Sequence, residues 1–217
     1  MNTWLGLLIF WCMAAEPAPT LVQPAPTAPV VKEPWWEKPT YRERIRQQRQ
    51  VIISVKRDPE KTKHDHLMTG AGVVRATQAF TLQKILDFKE LPKISSYFKK
   101  IVHQPELNRV YLVLEAYNYE ARMLIMYTVE TVGDRRIFNW KVVWGGFQGM
   151  IGSIELTSLE PEKTEVIMRS SFDDKEIPLP SIFTGFVLEI LVQHVAKSMR
   201  DYVEDAYKNS KGAGGKI

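Results

Sequence analysis

The chain contains one cysteine, Cys12, so it can build neither a disulfide framework nor a thiolate metal site. That scarcity leaves the compartment open, because exported proteins need no disulfides. Charge of one sign is scarce too: 29 Lys and Arg stand against 25 Asp and Glu, a formal net charge of +4. A balance this mild permits attraction to an anionic surface but does not argue for nucleic acid. No segment combines dense Lys and Arg with interleaved aromatics, and no zinc-finger or RNA-platform motif occurs, so no nucleic-acid partner is expected. No apolar run reaches the roughly 20 residues that a membrane-spanning helix needs. The glycine-rich "WGGFQGMIG", Trp144 to Gly152, lacks the Lys and Ser/Thr of a phosphate loop. It reads as a long turn or as a mobile hairpin, and no cofactor is expected from it.

What is present divides the chain. Apolar residues make up 45% and charged residues 25%, enough to bury a sizeable core. The opening "MNTWLGLLIFWCMAAEP" has an apolar run from Trp4 to Met13 followed by Ala14 and Ala15. Residues 1–15 therefore read as a secretory signal, although no Lys or Arg precedes the run. Export to the periplasm, or retention on the outer side of a membrane, follows as an expectation. Residues 16–50 read as a linker, first proline-dense and then basic. Trp35 and Trp36 either dock on the domain, the simpler reading, or sit among lipid headgroups. Arg42, Arg44, Arg46 and Arg49 either meet anionic lipid or form a solvated lead-in. Residues 35–50 are thus the one stretch through which a membrane-surface contact would be expected. Residues 51–208 carry the domain, and 209–217, with its "GAGG", reads as a disordered tail.

Within the domain, alternation predicts strands at Val51–Arg57, His66–Thr77, Arg109–Tyr117, Ala121–Glu130, Arg136–Trp144, Met150–Glu160 and Thr164–Phe172. Thr77 can cap a helix through Phe80, Ile85 and Leu86, which Pro92 ends or kinks, and a second short helix can carry Ile94, Tyr97 and Phe98. The meander places Phe138, Trp140, Val142 and Trp144 on one face, with Met123, Ile125 and Tyr127 on that face of the preceding strand. Val166, Met168, Ser170 and Phe172 oppose Glu165 and Arg169, and Glu155 can meet Arg169 across the wet face. An apolar face this large needs a cover. The long helix after Pro178 and Pro180 can supply it, with Phe183, Phe186, Val187, Ile190, Leu191, His194, Val195 and Tyr202 at helical spacing.

This order of elements, and the stretch "GAGVVRATQAFTLQKILDFKELPKISSYFKKI", resembles the START-like, or SRPBCC, superfamily. That group includes polyketide cyclase/dehydrase domains and the coenzyme Q-binding protein family. The residues that carry the likeness are Val73, Val74, Ala76, Ile85, Leu86, Asp87, Phe88, Leu91, Pro92, Tyr97, Phe98 and Ile101, and it spans roughly Val51 to Lys208. The resemblance implies an α+β helix-grip fold: a curved antiparallel sheet around a long C-terminal helix, two short helices after the second strand, and an elongated apolar cavity. It implies a hydrophobic guest such as a lipid, quinone or isoprenoid.

Twelve residues are expected to line that cavity: His194, Trp140, Trp144, Tyr127, Phe138, Met123, Met168, Phe172, Phe183, Phe186, Val187 and Ile190. His194 should point inward, and its N–H then needs a partner from Tyr127, Ser170 or a ligand carbonyl. A bound guest is the leading reading. One alternative is an enzyme of the cyclase or hydrolase kind with His194 as general base and Tyr127 as acid. Another is a structural or partner-binding module whose aromatics fill the cavity. His64, Asp65 and His66 are adjacent on a strand, so they alternate faces and make a poor metal cluster. Asp173, Asp174 and Glu176 read as helix caps.

Overall fold

The computed structural model describes residues 34–58, 64–116, 118–175 and 181–214, and the side chains of these except at 181–184, 213 and 214. The expected signal at 1–15, the proline-rich stretch through residue 33 and residues 215–217 lie outside it.

Eight antiparallel strands form one sheet: β1 (Ile52–Arg57), β2 (Asp65–Val74), β3 (Phe98–Gln104), β4 (Arg109–Ala116), β5 (Tyr119–Val132), β6 (Arg135–Gly145), β7 (Ile151–Glu160) and β8 (Lys163–Asp173). Their order is β1-β2-β8-β7-β6-β5-β4-β3. The last six are a plain meander, and β2 closes onto β8 with Asp65 opposite Asp173 and Val74 opposite Thr164. The helices are α1 (Pro39–Arg46), α2 (Gln78–Ile85), α3 (Leu91–Ile94) and α4 (Ser181–Gly214). Thr77 caps α2 as its sequence position suggests, its hydroxyl accepting from the Phe80 N–H at 3.3 Å.

The curved sheet grips α4. Leu188, Val192 and Ala196 pack on Ile53, Met68 and Phe172. One turn further on, Met199 and Tyr202 surround a buried trio of Val74, Ala76 and Val203. The strand alternation holds on β8: Thr164, Ser170 and Phe172 are buried on the inner row. Glu155 does meet Arg169, Oε2 to Nη1 at 3.1 Å, but diagonally, since the register sets Arg169 opposite Ser153.

Three elements differ from the sequence reading. Phe98 to Gln104, assigned in part to a second short helix, is strand β3, and α3 ends at Ile94. Pairing with β4 supplies the ladder that a lone segment lacks, and Ser95 is already extended at φ −149°. The second difference lies in the presumed linker. Residues 35–37 form a 3-10 turn and 39–46 form α1, and both lie on the outer face of β2 and β8. Trp36 and Ile45 cover Ala71, Val73 and Ile167, apolar residues on the nominally wet row. Trp35 donates its indole N–H to Thr69 Oγ1 at 2.8 Å, and Arg169 sits over the Trp36 ring at 5.1 Å. The two tryptophans therefore dock on the domain. Third, α4 runs through Asn209 to Gly214. Lys211 holds it there, pairing with Glu162 and lying over the Tyr207 ring.

Candidate functional site

Two apolar cavities lie between sheet and helix, one on each side of the ridge that α4 presents to the sheet. The first, about 200 Å³, is bounded by β1, β2, β8 and α4, with Ile53, Gly70, Gly72, Met168 and Met199 among its walls. The second, about 340 Å³, is bounded by β3, β4, β5 and α4, with Tyr97, Phe98, Leu114, Tyr119 and Leu191. Val192 and Val195 border both. The larger stands at the lower edge of the range usual for small-molecule sites, roughly 300–1,000 Å³.

Local sequence explains both hollows. Gly70 and Gly72 put no side chains on the inner row of β2, and a Cβ at Gly70 would lie 2.5 Å from Ile53 Cδ1. The second cavity is closed at one end by the turn after β6. Gly145 sits at φ +89°, where a Cβ would come within 1.9 Å of the Arg122 carbonyl oxygen. That bend lets the Gly146 N–H bond to the Arg122 carbonyl at 2.8 Å and swings Phe147 back into the bowl. Phe147 meets Phe172 edge-on at 6.1 Å and lines the second cavity.

The twelve expected lining residues scatter. Met168 borders the first cavity and Val187 the second. Met123, Tyr127, Phe138 and Phe172 are buried and spent on packing. Trp140 is half-buried, stacked with Phe138 at 5.8 Å over Gly152, where a Cβ would strike the indole at 2.2 Å. The side chain of Phe183 lies outside the described residues.

Four expectations are corrected. Trp144 points outward and is 54% exposed. The cause is an irregularity in the pairing: Leu124 faces Trp144 while Ile125 faces Val142, so β6 has one extra residue there and the parity flips. Trp144 instead lies 6.5 Å from Tyr111 on the outer face. Phe186, Ile190 and His194 also face away from the sheet, Phe186 at 65% and Ile190 at 46% exposure. Each stands two positions from Leu188, Val192 or Ala196, about 200° round a helix of 3.6 residues per turn. His194 therefore does not meet Tyr127 or Ser170. Its ring stands edge-on to Tyr97 at 5.8 Å, beside the second cavity.

The other polar groups are placed as follows. Tyr127 shares a 2.7 Å hydrogen bond with His103 Nε2, under Phe88. Burial, then Glu106, raises the Tyr127 pKa, while burial, then Lys89, lowers that of His103. Ser170 donates its hydroxyl to the Ile151 carbonyl at 2.7 Å. His64 and His66, two apart and so on one side of the strand, both engage Asp174: Nδ1 to Oδ1 and Nε2 to Oδ2, each at 2.8 Å. Asp174 is thus a buried acceptor for two imidazoles, an arrangement in which the carboxylate orients both rings. Asp173 pairs with Lys175 at 2.8 Å, which lowers its pKa. His64, Asp173 and Asp174 bring ligand atoms within 4.8 Å of one another, but all three are already engaged, His64 with Asp174, Asp174 also with His66, and Asp173 with Lys175. The sequence could have flagged Tyr97 and Phe98 once Phe98–Gln104 was read as a strand; Leu188, Val192 and Phe147 carry no local signal.

No family model matches the chain, and no curated protein sequence matches it. Solved structures do. The STAR-related lipid transfer protein of Xanthomonas axonopodis superposes with a TM-score of 0.57 at 12% identity, over 70% of this chain and 93% of that one. A START superfamily protein of Mycobacterium smegmatis gives 0.54 at 14% identity, over 64% and 98%. The human StarD13 lipid transfer and protein localization domain gives 0.54 at 12%, over 70% and 83%. At such identities the likeness establishes architecture: the chain has the START-like helix-grip fold.

Proposed function

We propose, from that fold and these cavities, that the domain binds a hydrophobic small molecule between the sheet and α4, and carries it without chemistry. One observation supports this above the rest: two cavities with almost wholly apolar walls, sharing Val192 and Val195 as lining residues. Each 100 Å² of guest surface withdrawn from water there contributes about 2.5 kcal/mol, so an acyl or isoprenoid chain binds without a charged anchor. Catalysis is the weaker reading. A cyclase or hydrolase site needs several polar groups at one spot, whereas Tyr127 is bonded to His103 and His194 stands apart from both. The unfilled volume also disfavours a module packed solid by its own aromatics.

The neutral apolar fluorophore N-phenyl-1-naphthylamine, titrated into the full chain, tests this. One equivalent should bind, and Val195→Trp, which intrudes on both cavities, should reduce uptake at least fivefold. A folded protein that leaves the fluorophore in water would overturn the proposal. Export remains part of the same proposal, resting on residues 1–15. Native mass spectrometry of chain from its own membrane fraction reads bound mass and the processed N-terminus together; an uncleaved, guest-free chain in the cytoplasmic fraction would refute both.

A further inference from the structure

A guest must match the charge of its walls as well as their shape. Removing an ion from water without a partner costs far more than burying a hydroxyl that finds a hydrogen bond. Among the described residues, no Lys, Arg, Asp or Glu lines the second cavity. The first has one charged neighbour, Arg200, and its guanidinium is already engaged. Nη1 donates to the Arg49 carbonyl at 2.6 Å, while Nε and Nη2 donate to Asp201 at 2.9 and 2.6 Å. Among the described residues, neither cavity therefore offers a free cation to a carboxylate or phosphate, nor a free carboxylate to an amine.

Of the described polar side chains at the walls, Thr81 in the first cavity already donates its hydroxyl to the Thr77 carbonyl at 3.0 Å, which leaves two tyrosines in the larger cavity. Tyr97 and Tyr119 both line it, and neither phenol hydroxyl bonds to a described protein group. The Tyr119 oxygen stands by the turn after β6, 3.8 Å from where a Cβ on Gly146 would be. The Tyr97 ring is held edge-on by His194 from α4. A phenol can donate and accept, so this pair suits a hydroxyl or carbonyl on an otherwise apolar body.

We infer that the guest is an electrically neutral lipid whose single polar group, a hydroxyl or carbonyl, sits against Tyr97 and Tyr119 in the cavity between β3–β5 and α4. This rests on the reading that the cavities hold an apolar guest, and the test separates the two. N-phenyl-1-naphthylamine bound to the full chain is displaced at pH 8 by four ligands with one chain length: dodecanol, methyl dodecanoate, dodecanoate and dodecyltrimethylammonium, all below their micelle concentrations. Dodecanol and the ester should displace it at concentrations at least 30-fold lower than either ion. Tyr97→Phe with Tyr119→Phe keeps the rings, so the fluorophore should bind as before while dodecanol weakens about tenfold. Failure of the fluorophore to bind the wild-type chain sinks the carrier proposal itself. If it binds but dodecanoate or the ammonium ion displaces it as well as dodecanol does, the neutral-guest inference is wrong. If the double variant leaves dodecanol unchanged, the tyrosine anchor is wrong.

Discussion

Asp174 shows how much one side chain can hold. It accepts from His64 and His66 while 4% exposed, and His66 Nδ1 has no partner among the described residues. Asp174→Ala would leave a buried imidazole without any hydrogen bond, a loss of about 2–3 kcal/mol. Urea unfolding should show it, and Asp174→Asn, which keeps one acceptor oxygen, should lose less. His103 predicts a pH effect. Burial holds its folded pKa below the usual value near 6.5, so the unfolded chain binds the extra proton first. Its contribution is therefore present above about pH 6.5 and is lost as pH falls from there through the lower folded pKa. His103→Gln, compared with wild type in denaturant titrations from pH 8 to 5, should flatten that fall; an identical slope would remove His103 as its source. These roles were poorly legible in sequence. A spacing of two put His64 and His66 on one side, but the residue they share lies more than a hundred positions away.

At the scale of elements, α4 has two unlike halves. Its C-terminal half is fastened: Val203 is 1% exposed beside Val74 and Ala76. Arg49 pairs with Glu204, whose other oxygen accepts from the Arg75 N–H at 3.0 Å. Its middle borders empty space. Val203→Ala should thus cost about 1.5–3 kcal/mol through lost packing and a new void. Val192→Ala, already at a cavity wall, should cost under about 1 kcal/mol and enlarge the site. Guanidinium unfolding of both variants checks the contrast, and equal losses would mean that the cavities collapse around Val192. Strand β6 has a comparable division at its extra residue: Phe138 and Val142 stay in the core while Trp144 emerges.

For the whole molecule, the sheet is covered on both faces over part of its area. The concave side takes α4, and the outer side of β2 and β8 takes the 34–46 segment. Two arginines of the basic lead-in pair with the domain, Arg46 with Glu165 at 2.9 Å and Arg49 with Glu204. Trp36→Ala in the full chain should uncover Ala71, Val73 and Ile167 and cost about 3 kcal/mol. Thermal unfolding should shift down accordingly; an unchanged midpoint would mean the segment merely rests on the sheet.

Local pattern by itself determined the meander, the inward rows of β5 and β8, the Thr77 cap and the long covering helix, because periods of 2 and 3.6 are written in neighbouring residues. Tertiary structure decided the rest. Apolar residues occupy more than half the circumference of α4, so only contact with the sheet selects Leu188 and Val192 over Phe186 and Ile190. One inserted residue in β6 reverses parity without marking the sequence. The cavities are where side chains are missing, at Gly70 and Gly72 or beside Val192, and an empty space exists only once the surfaces around it have met.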